Sequence, residues 1–308
     1  MAKPTRPPTF RGSDFAMRYA QGQWSEERIM ESVNASDSYR ALPYGRSQVG
    51  PENKEEIPEY WEKYIRAESV GKRPDILIVR REDFERLSDR LPEDATLATD
   101  EELAPFLDVA VCAIEAENSL WVAEKMPDYG AERITRKDFK APTVIVKEQD
   151  APELMAWQEH HRIPVCVVQV FYDRGYIIRL DEIMEAVDEI EAIQRGERSE
   201  SSSIAELDEK ENKKKAARFQ KDRGVFITEQ SYADSRTGTS SKKIIYRAHY
   251  SAAREFGVLD PNNPPVAQPR VMFEGNGKIM AYVHFEGGVL TISAEALDMF
   301  TELSARRL

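Results

Sequence analysis

The sequence predicts an α/β fold: a mixed sheet flanked by helices, preceded by a helical N-terminal segment and followed by a β-rich C-terminal part. Three observations predict it. Short apolar runs rich in β-branched residues, at 74–79, 109–117, 142–147 and 165–171, are separated by stretches of helical character. The first 70 residues carry helical patterning broken by a single Pro/Gly loop. From 225 onward the pattern turns strand-like.

The elements follow in chain order. Ser25-Glu26-Glu27-Arg28-Ile29-Met30 reads as a capped helix start, and 57–70 continues in that style. Between them 41–47 reads as a loop, by its Pro43 and Gly45. Gly71 and Pro74 introduce the first strand, and helical segments follow at 83–89 and 100–106. The strand 109–117 comes next, then the strand 142–147, the helix 151–161 and the strand 165–171. An acid-rich amphipathic helix spans 180–193, a break falls at 199–203, and a lysine-rich stretch runs 209–223. The strands 225–228 and 243–247 precede an expected hairpin of 278–284 with 289–293 across Glu286-Gly287-Gly288, and a helix from Ala294 closes the chain. The expected division is a helical segment at 1–70, a core at 71–198, a charged linker or helix at 199–224 and a β-rich recognition part at 225–308.

Composition bounds the function. The chain has 308 residues, 41% hydrophobic and 32% charged, enough to bury a core and too apolar to be disordered throughout. No run approaches the roughly 20 apolar residues that span a bilayer. Residues 1–11 are basic and Pro-rich without a following apolar stretch, so no signal peptide is expected. Cys112 and Cys166 both lie in strand-like runs, where buried free thiols suit a reducing cytoplasm, and no Cys/His spacing fits zinc. The net charge of −12 argues against nucleic acid as a single number, but its distribution does not. Between Lys210 and Arg254 twelve Lys or Arg face four acids, a block of about +8 in a remainder of about −20. Such a block is either a phosphate-facing surface or a solvated helix and loop.

Alternation along 109–117 puts Val109, Val111, Ala113, Glu115 and Glu117 on one face, with Ala110, Cys112, Ile114 and Ala116 opposite. A strand apolar on both faces that ends in two acids needs a compensator for their charge. A divalent metal is the natural one, because hard Mg²⁺ takes carboxylate oxygens; glutamates hanging past the sheet into solvent are the alternative. Pro74-Asp75 adds an acid at the start of another buried strand. If the two strands are antiparallel neighbours, three carboxylates meet, the kind of cluster that phosphodiester hydrolysis uses. Asp108, which opens the strand of the glutamates, would lie roughly 23 Å from Glu115 at about 3.3 Å per residue, too far for a shared metal.

Pro74-Asp75 followed by Glu115-x-Glu117 resembles the PD-(D/E)XK nuclease superfamily, with a glutamate where the usual lysine stands. The stretches 114–121 and 141–148, and the end of the chain at 282–288, are similar to AccI-like type II restriction endonucleases. The resemblance centres on residues 70–185. It implies a sequence-specific, Mg²⁺-dependent endonuclease of a restriction system that cuts double-stranded DNA, working as a homodimer. It also implies Asp75 and Glu115 as metal ligands, with Glu117 positioning or deprotonating the attacking water. Lys147, at the end of the next strand, is either a substitute positive charge or a plain strand-end lysine. The 40-residue gap from Asp75 to Glu115 requires an insertion. Candidate DNA contacts are Arg236, Lys242, Lys243 and Arg247 around the 235–241 loop, with Arg46, Ser47 and Gln48 as a second set. Trp121 and Trp157 are expected in the core, and His160-His161 at an exposed helix end. The alternative function is a non-catalytic DNA- or protein-binding module that retains a nuclease-like fold. A glycoside hydrolase is disfavoured, since carboxyls adjacent on one strand face do not flank a sugar cleft.

Overall fold

The computed structural model describes residues 13–45, 71–131, 139–196, 209–233, 240–273 and 279–307. Arg46, Ser47, Gln48 and Arg236 fall outside these residues, as do the helix expected at 57–70 and the break at 199–203.

The main sheet has seven strands. In spatial order they are β1 (Tyr39–Pro43), β2 (Ile76–Arg80), β3 (Ala110–Asn118), β5 (Val165–Val170), β6 (Arg174–Arg179), β9 (Arg254–Leu259) and β12 (Leu290–Ile292). Every neighbouring pair is antiparallel except β3 with β5, so the sheet is mixed, as expected. The parallel pair lies near the centre, and its apolar residues are buried on both faces.

Alternation sorts the strands into two cores. Leu77, Val79, Ala113, Val165, Val167 and Ile178 face one cluster. It is closed by α4 (Ala151–His161), α5 (Leu180–Arg195) and a second sheet of β4 (Thr143–Lys147), β8 (Ser240–His249) and β7 (Val225–Ala233). Ile76, Ile78, Cys112, Ile114, Cys166 and Val168 face the other cluster, covered by α1 (Ser13–Asn34) and α7 (Ala294–Arg307). Cys112 and Cys166 are both free and buried there, as expected.

Several expectations are corrected. The helix start read at Ser25 lies inside α1, where the Ser25 hydroxyl donates to the Gly22 carbonyl at 2.7 Å. The loop read at 41–47 begins as strand: β1 runs antiparallel to β2, and its Pro43 is tolerable because β1 is an edge. The run 142–147 leaves the main sheet and pairs with β8, although Val144 and Val146 still face the shared core. A buried apolar strand looks the same in sequence whichever sheet it joins. Val111 does not share the Ala113 face: the register shifts so that Ile78 opposes Cys112 and Val79 opposes Ala110, and Val111 turns to the α1/α7 side. The expected C-terminal hairpin is also redistributed. β11 (Ile279–Glu286) pairs with β10 (Val266–Phe273), and β12 pairs with β9. Gly287 and Gly288, at φ 75° and 78°, turn the chain between two sheets, and a Cβ at Gly288 would lie 2.8 Å from the Trp24 ring.

The insertion between β2 and β3 consists of α2 (Arg81–Leu87), two 3₁₀ turns and α3 (Ala104–Leu107). It closes on the core through Leu103, Phe106 and Leu107. The lysine-rich stretch is α6 (Glu209–Arg223), with Asn212 and Ala216 buried and Lys213, Lys214 and Lys215 outward.

Candidate active site

The start of β2 and the end of β3 adjoin, because the two strands are antiparallel with Ile76 opposite Ile114. Asp75 continues the ladder by one residue. Its N–H donates to the Ile114 carbonyl at 2.9 Å, and its carbonyl accepts from the N–H groups of Tyr44 and Gly45, both at 2.8 Å. Its side chain is fixed as well, with Oδ2 accepting the Ala116 N–H at 2.8 Å. Asp75 is thus pinned between β1 and β3 at the level of Glu115. A Cβ on Gly45 would stand 2.5 Å from the Asp75 Cα, so this close approach needs glycine.

A buried polar network holds the segment leading into Asp75. The Arg73 guanidinium donates to the carbonyls of Thr96 (3.0 Å) and Ala98 (2.9 Å) and to Asp100 Oδ1 (3.1 Å), and it lies over the Tyr44 ring. The Tyr44 hydroxyl donates to Asp100 Oδ1 (2.6 Å) and accepts from the Trp157 indole (3.1 Å). His161 Nε2 lies 3.2 Å from Asp100 Oδ2, so His161 belongs to this network and not to an exposed helix end. Trp157 is core, as expected. Trp121 is not: it follows β3 in a loop and is 55% exposed.

Glu115 is only 7% exposed. Its Oε1 accepts from the Lys72 ammonium at 2.7 Å, while its Oε2 is buried without a hydrogen-bond partner. Glu117, one step further along the same face, accepts from Lys147 at 2.5 Å, and Lys147 also lies 3.8 Å from Asp150. The two strand-end glutamates therefore point into the protein and each meets one lysine. Lys147 arrives from the second sheet.

The electrostatics follow from crowding acids out of water. Burial, then the charge of Glu26, lifts the Asp75 carboxyl to about 7. Burial, then Asp75, lifts Glu115 to about 8. Burial, then Glu115 and Glu27, lifts Glu26 to about 7. Burial alone would depress Lys72, but Glu115 and Asp75 outweigh it and hold the ammonium above its usual value; Glu117 does the same for Lys147.

Two members of this cluster, Glu26 and Lys72, were missed in the sequence. Glu26 reads there as one acid in an ordinary helix turn, and only the packing of α1 against the sheet brings it to Glu115 and Asp75. Lys72 reads as a loop lysine, although its position three residues before Asp75 was an available signal. The chemistry of the donors suits a hard divalent cation, and the bare buried Oε2 of Glu115 is an acceptor still wanting one. Among the described residues no three His, Cys, Asp or Glu side chains stand ready as a complete ligand set.

The proposed DNA contacts are more dispersed. Lys242 pairs with Glu229 at 2.7 Å, and Lys243 is exposed on the same strand. The Arg247 guanidinium is half-buried, donating to the hydroxyls of Thr228 (3.0 Å) and Thr143 (3.4 Å) across the second sheet. Asp108, at the far end of β3, is remote from the cluster, as expected.

A seven-stranded mixed sheet flanked by helices, with carboxylates gathered where β2 and β3 adjoin, defines the class: a mixed α/β protein with an acidic cluster at a strand junction. Residues 2–134 are similar to the sequence model of the AccI restriction endonuclease. That stretch contains Asp75, Glu115 and Glu117 and begins well before the 70–185 region of the resemblance noted above. The similarity supports an AccI-like type II restriction endonuclease, and with it a nuclease whose substrate is DNA. No curated protein and no solved structure matches the chain. No described helix is long and apolar enough to cross a membrane.

Proposed function

We propose that this protein is a sequence-specific endonuclease that hydrolyses phosphodiester bonds of double-stranded DNA with Mg²⁺, in the manner of a cytoplasmic type II restriction enzyme. The observation that carries the reading is the pinning of Asp75 against the end of β3 beside a buried, half-satisfied Glu115. A buried carboxylate with a bare oxygen is costly unless a cation completes it. Asp75 and Glu115 would hold the ion, which when bound supplies charge neutralisation at the reacting phosphate. Glu117 lies one step further out on the same face, where its carboxylate can orient a water and take up its proton. Lys147 fixes Glu117 in that direction from the second sheet. The Arg73–Tyr44–Asp100 network keeps Asp75 in place while phosphate and metal arrive.

The two-fold symmetry of a DNA site is matched by a two-fold protein, so the working form in this proposal is a homodimer. Lys242 and Lys243, with Arg236 outside the described residues, supply cations for the DNA on the basic segment, and Arg46, also outside them, is a second candidate in the N-terminal part; Arg247 is tied to Thr228 and Thr143 and contributes chiefly to the second sheet. The test is incubation of purified protein with plasmid DNA and Mg²⁺. Discrete fragments are expected that vanish with chelator and return with Mg²⁺, while Ca²⁺ supports binding without cutting. Intact plasmid under all divalent ions, with DNA still bound, would favour the non-catalytic binding module instead.

A further inference from the structure

Four carboxylates, Glu26, Asp75, Glu115 and Glu117, influence one another at this site, and two ammoniums, Lys72 and Lys147, answer them. The two lysines are not equivalent. Lys147 is held between two acids, Glu117 at 2.5 Å and Asp150 at 3.8 Å, and its backbone is fixed in the register of β4 with β8. Its charge is already shared, and it stands on the second sheet.

Lys72 also feels more than one acid, Asp75 as well as Glu115, but its backbone is not held in a strand. It lies three residues before Asp75, and its ammonium donates to Glu115 Oε1 at 2.7 Å. Its side chain is 31% exposed against 9% for that of Glu115, so Lys72 borders solvent beside the buried carboxylate, as Lys147 does beside Glu117. A phosphate must come from solvent to reach the buried acids, and it would meet Lys72 on the way. The Lys72 contact also selects the oxygens of Glu115. Oε1 is occupied, while Oε2 is buried without a partner. That bare oxygen is the independent sign that the cluster receives a cationic ligand.

Resting on the nuclease reading above, we propose that Lys72 supplies the positive charge at the reacting phosphate that no residue of the Glu115-x-Glu117 motif provides. In this role it holds Glu115 through Oε1, leaves Oε2 to the metal, and places its ammonium against the charge that develops on the phosphate oxygens as water attacks.

The experiment compares unsubstituted protein with Lys72→Met, Lys72→Gln, Lys72→Arg and Lys147→Met. Each is assayed by single-turnover plasmid cleavage over a range of Mg²⁺, DNA binding in Ca²⁺, DNA-free Mn²⁺ titration and thermal melting. Cleavage by Lys72→Met should fall at least 100-fold and stay low at saturating Mg²⁺. Its Ca²⁺-supported DNA binding should change less than threefold, and Mn²⁺ should bind as tightly as before or more tightly. Lys72→Arg should recover at least tenfold of that loss, and Lys147→Met should lose less than Lys72→Met. Lys72→Gln retains a donor for Oε1 without charge and should be as slow as Lys72→Met; it decides the matter if the methionine variant does not melt cooperatively. Near-normal cleavage by Lys72→Gln, full rescue by added Mg²⁺, loss of Mn²⁺ binding, or a larger loss in Lys147→Met overturns the assignment. If the unsubstituted protein leaves plasmid intact, the nuclease reading itself has failed and this proposal falls with it; cleavage by unsubstituted protein and Lys72→Met alike removes Lys72 alone.

Discussion

At the scale of single residues, Asp75 is held by contacts that can be broken one at a time. Gly45→Ala would put a Cβ 2.5 Å from the Asp75 Cα and 2.9 Å from the Pro74 carbonyl oxygen, and backbone cannot yield as a side-chain tip can. Overpacking of this kind costs about 1–3 kcal/mol. The expected outcome is a modest fall in melting temperature with a disproportionate loss of cleavage; normal cleavage would show that Asp75 tolerates displacement. The raised carboxyls also set a pH dependence in the absence of metal. The folded protein keeps protons on Asp75, Glu115 and Glu26 up to about 7 to 8, whereas the unfolded chain releases them near 4. The folded state therefore binds more protons between these values, so the stability from this cluster is full below about 4 and is lost as pH rises through about 7 to 8. In chelator, melting temperature should fall between pH 5.5 and 8.5, and Glu115→Gln, which cannot ionise, should fall distinctly less. Parallel pH curves for the two proteins would contradict this account.

At the scale of elements, each strand's reading depended on what the chain could declare locally. β2 and β3 were identifiable because an apolar run with an acid at one end has few explanations, and their antiparallel adjacency makes the acids meet. β4 is legible as a strand, but its pairing with β8 in a separate sheet, about a hundred residues away, leaves no local trace. The hairpin failed for a related reason: Gly287-Gly288 signals a turn without saying which strands it joins. Glu26 and Lys72 escaped notice because their meaning comes from packing, not spacing. The basic element α6 was readable as a charged helix, and its geometry sharpens what it should do. Asn212 and Ala216 face inward, leaving Lys213, Lys214 and Lys215 at the surface. Replacing the three by alanine should weaken binding to cognate and random duplexes alike and reduce the slope of affinity against salt, as counterion release requires. A loss confined to the cognate duplex would mean that this helix reads sequence. Arg247, tied to Thr228 and Thr143 across the second sheet, should instead lower melting temperature when changed to alanine.

At the scale of the whole molecule, the sheet brings the start of one strand and the end of its neighbour together, while two cores on its opposite faces keep both rigid. The helical N-terminal part covers one face, contributes Glu26, and lies within the stretch similar to the AccI restriction endonuclease. The C-terminal strands β9 and β12 complete the same sheet, so described residues from both ends of the chain build the sheet that carries the carboxylates. The central claim is that Asp75, Glu115 and Glu117 cut DNA with Mg²⁺ and do not merely neutralise buried lysines. The most direct measurement pairs cleavage with binding in Glu117→Gln, which keeps the shape of the side chain and removes its charge. In Mg²⁺ the rate of plasmid cleavage should collapse by at least 100-fold, while in Ca²⁺ the affinity for the same DNA should hold or tighten, because one acid no longer repels the phosphates. Cleavage at a near-normal rate, or loss of cleavage and binding together, would contradict the account.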